Sequence, residues 1–148
     1  MAAHVLQRLI LAVVQVLILL AVAVLAFKVT VVGGLPSLLA VAVLGAVVFL
    51  NLGFAVTGLL TTENQAAVAT QIVTLPQMFL SGVFFSRDAV PAFLKPIADY
   101  LPLTFLNDAL RAIATTGASL ADVSGQIIGL VVWAIVSFIL AYRLFRLD

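Results

Sequence analysis

Chemistry in a protein needs titratable or nucleophilic side chains at workable spacing, and in this chain they are few and concentrated. Arg87, Asp88, Lys95, Asp99, Asp108, Arg111 and Asp122 fall in one stretch. Asp108 and Arg111 stand at i, i+3, where they can pair on one helix turn. Lys95 and Asp99 stand at i, i+4, in the weaker of the two orientations for a helical ion pair. His4 is the lone histidine and cysteine is absent. These facts remove thiolate catalysis, zinc–thiolate and iron–sulfur ligation and a His-pair metal site, and they disfavour a Ser–His–Asp triad. His4, without neighbouring partners, reads as a solvated terminal residue. No G-x-x-x-x-G-K-[ST] run occurs, so the chain has no P-loop for ATP. No catalytic residue, metal site or cofactor is expected.

The elements that must position these charges have an extreme composition. Of 148 residues, 65% are hydrophobic and 9% charged, with a net charge of +1. A soluble domain is about half apolar and about a quarter charged. A water-soluble fold would lack the polar residues to cover its surface. Disorder, a disulfide-stapled domain and a nucleic-acid-binding arm are excluded as well, so no nucleic acid is expected as a partner. The reading is all-α: a polytopic helical membrane protein, residues 1–148 forming a single membrane domain in the lipid bilayer.

Residues 9–27, 29–62, 64–86 and 123–142 carry no charge. A membrane helix needs about 20 apolar residues to cross about 30 Å of hydrocarbon. The run 29–62 would extend about 51 Å as one helix, too long for one crossing. It contains the turn signal Gly33-Gly34-Leu35-Pro36-Ser37. Four transmembrane helices are therefore expected, at about 5–27, 38–60, 66–85 and 124–142. The runs lack the alternation of an outer-membrane barrel. Thr61 to Gln65 is a tight connection, so spans two and three should be antiparallel neighbours. No Asp or Glu lies within a span, which argues against an intramembrane enzyme.

The stretch between 86 and 123 is not a fifth span. A charge at mid-bilayer costs roughly 2.5–3.5 kcal/mol on the insertion scale. Leu103, Leu106, Leu110 and Ile113 form a helical apolar stripe, with Thr104, Asn107, Asp108, Arg111 and Thr115 off it. Gly117 is a stop signal, and Ser119 to Asp122 resembles a capping box for the last span. Two short amphipathic helices are expected, at about 91–101 and 103–116. They lie at one membrane surface or dip in and return before the last span.

Within the spans, Gln15, Asn51, Thr57, Gln71 and Gln77 are candidates to line a pathway. Asn51, Gln71 and Gln77 are the preferred three, against the plain alternative of interhelical hydrogen bonds. Gly53, Gly58 and the Gly125/Gly129 pair read as close-packing positions, and Pro76 as a kink. Charge leaves the orientation undecided: Arg8, Arg143 and Arg146 lie on one side, and Lys28, Arg87, Lys95 and Arg111 on the other. Arg8, the run 9–20 and Ala21-Val22-Ala23 also resemble a signal peptide. The apolar run continues to Phe27 and Gln15 interrupts it, which favours an uncleaved span.

One region is more than generic membrane sequence. Phe79-Leu80-Ser81-Gly82-Val83-Phe84-Phe85 leads into Pro91, Phe93-Leu94-Lys95-Pro96-Ile97, Pro102-Leu103-Thr104-Phe105 and Asp108-Ala109-Leu110-Arg111. These segments resemble the "FLSG-x-FFP", "P-x-W/F-L-x-PI" and "PLT-Y/F-x-x-DALR" patterns of type-2 permeases of ATP-binding-cassette (ABC) exporters. Thr62-Glu63-Asn64-Gln65 is similar to that family's short cytoplasmic loop, and Trp133 to Arg146 to its closing span and basic tail. Ser86 stands where the family usually has Pro, and Phe93 where it often has Trp.

The resemblance implies a permease subunit that forms a translocation pathway with a second permease copy or half, while a separate ABC ATPase subunit hydrolyses ATP. It implies a multi-pass protein of the plasma or inner membrane with both termini cytoplasmic and the amphipathic helices external. Thr104, Asp108 and Arg111 would belong to a gating or re-entrant helix. The family normally has six spans and an amphipathic coupling helix. The expectation is a fragment lacking the first two spans and that helix. A passive or regulatory membrane subunit, or a channel without an ATPase, is the alternative.

Overall fold

The computed structural model describes residues 2–25, 32–58, 60, 63–83 and 90–145. Lys28, Thr61-Thr62, Phe84 to Asp88 and Arg146, which carry part of the sequence argument, lie outside the described residues. Among the described residues the chain is all helical, without strands: α1 (Ala2–Leu25), α2 (Leu35–Thr57), α3 (Glu63–Leu80), α4 (Lys95–Asp99), α5 (Pro102–Arg111), a π-helical turn (Ala112–Thr116) and α6 (Ser124–Phe145). Two helices are long and apolar enough to cross a membrane, at Leu35–Val56 and Ser124–Arg143.

Each boundary has a local cause. Pro36 sits in the first turn of α2, where its missing N–H costs nothing, after an extended Gly34. Pro96 and Pro102 do the same for α4 and α5. Gly117 ends the π turn at φ 70°, the left-handed conformation that favours glycine. Ahead of α6, the Ser119 amide donates to Asp122 Oδ2 at 2.8 Å and the Ser119 hydroxyl donates to the same oxygen at 2.7 Å. The Asp122 amide donates back to Ser119 Oγ at 3.3 Å. This is the reciprocal arrangement of a capping box. These hydrogen bonds from Ser119 hold the Asp122 carboxyl below its ordinary value, outweighing the small opposing effect of desolvation.

Several expected boundaries move; the second span, expected at about 38–60, is the helix Leu35–Thr57. The third apolar segment should reach Phe85, but α3 stops at Leu80 and the chain turns through Gly82 at φ 80°. Hydropathy carries no record of that turn, because apolar residues continue past it. The first amphipathic segment, expected over 91–101, is helical only from Lys95 to Asp99. The second, expected over 103–116, is α-helical to Arg111 and π-helical beyond.

The core lies where α2, α5 and α6 meet. Leu38, Val41 and Val48 of α2, Ala109 of α5, Ile113 of the π turn, Val123 just before α6 and Leu130 within it form one buried cluster. α2 makes its most extensive contact with α6, and α5 packs against both. α1 and α3 flank α2. The outward faces are strongly apolar: Ile10, Leu11 and Ile18 on α1, Ile72 on α3, and Ile128, Ile135 and Phe138 on α6 are all exposed. In water such surface would be a liability; in lipid it needs no covering. Helical backbone pairs its own polar groups, as hydrocarbon demands, with Pro76 inside α3 a position that supplies no N–H. Ser137, fully buried on α6, satisfies its hydroxyl locally by donating to the Trp133 carbonyl at 2.6 Å.

Candidate functional site: the docked helix and the cleft beside it

α5 carries Thr104, Asp108 and Arg111, and the fold seats it between α2 and α6, the two helices long and apolar enough to cross a membrane. Small residues on those helices make the room. A Cβ at Gly45 of α2 would stand 2.6 Å from both Leu106 methyls, and one at Gly129 of α6 would stand 2.7 Å from the Phe105 ring. Phe105 and Leu106 are adjacent, so consecutive side chains of α5 drive into opposite walls. Gly53 and Gly125, expected as close-packing positions, are open instead: a Cβ added at either would meet nothing within 4 Å. Gly129 keeps the role expected of it, and Gly45 takes one that sequence reading misses.

Polar groups fix the depth and rotation of α5. Thr104 is buried, and its hydroxyl donates to the Ala98 carbonyl at the end of α4 at 2.6 Å. The apolar stripe puts Thr104 on the polar side. The helix instead buries Thr104 with Ala109, because a short hydroxyl can be satisfied by a neighbouring carbonyl. Asn107 Nδ2 donates to the Ser81 carbonyl just past α3 at 3.2 Å. Trp133 Nε1 on α6 donates to the Tyr100 carbonyl at 2.8 Å, tying α4 to the same frame. Asp108 is half-buried. Arg111 is exposed in the last turn, where a cation complements the partial negative charge of the helix end.

The C-terminal end of α5 is held from another direction. A helix leaves its final carbonyls without intrahelical donors. The Gly33 amide donates to the Ile113 carbonyl at 2.9 Å and the Val32 amide donates to the Ala114 carbonyl at 3.1 Å. The link before α2 therefore supplies donors to two carbonyls of the π turn.

Beside α5, α2 and α3 part to leave a cleft of about 220 Å³. α2 contributes Phe49, Leu52, Gly53 and Val56; α3 contributes Thr70, Val73, Thr74 and Gln77. The side chain of Gln77 is 8% exposed, and its Oε1 has no hydrogen-bond partner among the described residues. Leaving a buried amide oxygen unsatisfied costs about 1–3 kcal/mol. Thr70 donates its hydroxyl to the Ala66 carbonyl at 2.8 Å. Of the three preferred pathway candidates, Gln77 lines this cleft; Asn51 is half-buried on α2 and Gln71 is exposed on α3, and neither lines it. Sequence reading misses Thr70 and Thr74, although their spacing with Gln77, at i, i+4 and i+7, marks one helix face. A second cleft of about 470 Å³ lies between α1, α2 and α5, with a lining that includes Val16, Leu19, Phe49, Leu106 and Leu110 and is entirely apolar.

Comparison with known proteins places the chain among membrane transport proteins. The chain is 31% identical over 108 residues to Nodulation protein J of Rhizobium leguminosarum bv. trifolii, covering 73% of this chain and 41% of that protein. It is 32% identical over 98 residues to Nodulation protein J of Rhizobium leguminosarum bv. viciae, covering 66% of this chain and 38% of that one. The chain thus spans about two-fifths of the length of the curated relatives it matches. No solved structure matches significantly. The family model of the ABC-2 family transporter proteins matches residues 1–143, taking in the docked helix, the cleft and both long apolar helices, and the chain belongs to that family.

Proposed function

We propose that this chain supplies the membrane-crossing permease portion of an ATP-driven exporter. Family membership and the apolar helices support a membrane transport component. The observation that carries the finer reading is the seating of α5: a charged amphipathic helix wedged between α2 and α6, where its displacement would open or close a path along them. Thr104, Asp108 and Arg111 are the residues of this gate. The hydroxyl of Thr104 holds its start, and Asp108 and Arg111 fix its last turn against the bundle. α1 and α3 join α2 and α6 as crossings, four in all, in a multi-pass protein of the plasma or inner membrane. The termini and the α2–α3 connection face the cytoplasm, and α4 and α5 face outward. Work comes from a separate cassette ATPase, and a second permease copy or half completes the pathway. Access alternates as the cassettes shift the populations of inward- and outward-facing states.

The native absence of cysteine makes the test direct. Single cysteines at Asn64 and Lys95, both exposed, are labelled in cells with a membrane-impermeant maleimide. Lys95→Cys reacts from outside, and Asn64→Cys only after permeabilisation; the reverse pattern overturns the orientation. Affinity purification from the source cell retrieves a P-loop ATPase with the protein. Retrieval without any ATPase favours the passive or regulatory subunit instead.

A further inference from the structure

We propose that the π turn after α5 is one of two interchangeable helical registers, and that the Val32–Gly33 link selects between them. In the π register the Gly117 amide donates five residues back to the Ala112 carbonyl, and the Ala118 amide donates to the same oxygen at 3.3 Å. An α-helix continued past Arg111 would send the Gly117 amide to Ile113 and the Ala118 amide to Ala114, four residues back. Those are the two carbonyls that Gly33 and Val32 hold, at 2.9 and 3.1 Å. Two pairs of donors therefore compete for one pair of acceptors. Val32 also lies against Gly117, where a Cβ would stand 2.9 Å from Val32 Cγ1. The link thus takes the place of the next α turn.

The exchange is nearly balanced. Two bonds to the link are traded for two within the helix, and the freed amides belong to an exposed Val32 and a half-buried Gly33 ahead of α2, within reach of water. The Thr115 and Thr116 hydroxyls donate to the Arg111 and Ala112 carbonyls at 2.7 Å each, the four-residue back-bond of an α-helix, and keep those bonds in either register. Gly117 is the hinge. Its φ is 70° with the link in place and turns negative in the α register, and glycine takes both at similar cost. The clasped register is the one the structure holds, so a variant forced out of it loses stability even though its carbonyls find new donors. Release frees the link before α2 from α5 and winds residues 112–116 more tightly ahead of α6. The exchange needs neither ATP nor a cassette; its bearing on a gate rests on the exporter reading, the register change itself does not.

The test is hydrogen exchange on the whole protein in nanodiscs, read residue by residue by mass spectrometry with electron-transfer fragmentation. In the native protein the Val32 and Gly33 amides, bonded in one register, exchange faster than those of Gly117 and Ala118, bonded in both, once intrinsic rates are divided out. Equal protection at the four positions overturns the proposal, and this comparison decides alone should the variants not fold. Val32→Ala removes the methyl that a Cβ at position 117 would meet. In that background Gly117→Ala speeds exchange at positions 32 and 33 about five- to thirtyfold, the equilibrium equivalent of holding a non-glycine residue left-handed, and leaves 117 and 118 protected. Gly117→Asn, which tolerates the left-handed region, has a smaller effect. Faster exchange at all four positions means that the helix end simply frays, and overturns the proposal. Unchanged exchange at 32 and 33 in Gly117→Ala, or an equal effect of Ala and Asn, also overturns it. Each of these failures leaves cassette retrieval unaffected, so the two readings fall separately.

Discussion

Gly33 and Ile113, eighty positions apart, are joined backbone to backbone: the Gly33 amide donates to the Ile113 carbonyl at 2.9 Å. A Cβ at position 33 would run into that same oxygen and into the Ile113 side chain. The link before α2 thus closes against the π turn that ends α5 only because residue 33 has no side chain.

Gly33→Ala is therefore expected to break this closure. The Ile113 and Ala114 carbonyls would lose their donors, at about 1–3 kcal/mol. The neighbouring Gly34→Ala is the control. Its Cβ would meet Pro36 at an ordinary 3.6 Å, and its φ of −62° suits any residue. Thermal unfolding in detergent should show a clear loss for Gly33→Ala and little change for Gly34→Ala.

The wedge at α5 orders four further glycine substitutions. At Gly129 the obstacle is the Phe105 ring, including its Cγ at 2.8 Å, which cannot swing aside as a chain end can. At Gly45 it is chiefly the methyl ends of Leu106. Gly129→Ala should cost the most, within the about 1–3 kcal/mol typical of overpacking, and Gly45→Ala less. Gly125→Ala and Gly53→Ala meet nothing and should be neutral or stabilising by up to about 1 kcal/mol. A reversed order in unfolding midpoints would contradict the seating of α5.

The same residues mark how far sequence reads into this structure. The α5 stripe and the Gly117 stop are local patterns, and local patterns are legible. Ser119 and Asp122 are likewise three residues apart, and their capping box is visible in the sequence. Thr104 falls on the wrong side of the stripe because its partner, the Ala98 carbonyl, is offered only once α4 has ended there. Gly33 is legible as a turn, but Ile113 as its partner depends on the packing of α5. Choosing Gln77 over Gln71 and Asn51 needs the rotation of α3 against α2, which neither helix encodes alone. α3 ends at Leu80 through the Gly82 turn, although the apolar run gives no sign of it.

Acid should weaken the entry to α6 through Asp122. Its carboxyl titrates below the ordinary value because Ser119 donates to it twice. A depressed folded-state value means that the stabilisation is fully present above the unfolded value, about 3.9. It is lost as pH falls through the lower folded value. Unfolding midpoints of the native protein should drop across that acidic window. Asp122→Asn should flatten this part of the profile, and Ser119→Ala should shrink it. A profile unchanged in both variants would mean that the box does not contribute.

Trp133 is the sole tryptophan, and its indole N–H donates to the Tyr100 carbonyl at 2.8 Å. That bond bridges the end of α4 to α6, so the intrinsic emission of the protein reports on whether the amphipathic segment is docked. Trp133→Phe removes the donor while keeping most of the ring, and should cost about 1 kcal/mol. Thr104→Val removes the α4–α5 hydroxyl bond, and Asn107→Ala the α3–α5 bond; neither residue touches Trp133 by hydrogen bonding. If α4 and α5 move as one body, both variants shift the tryptophan emission to the red as water or headgroups reach the indole. If only Thr104→Val does so, α4 is held through α5, while the Asn107–Ser81 bond serves α3. Unchanged emission in both would show that α6 holds α4 on its own, and that a gate made of α5 would have to move without it.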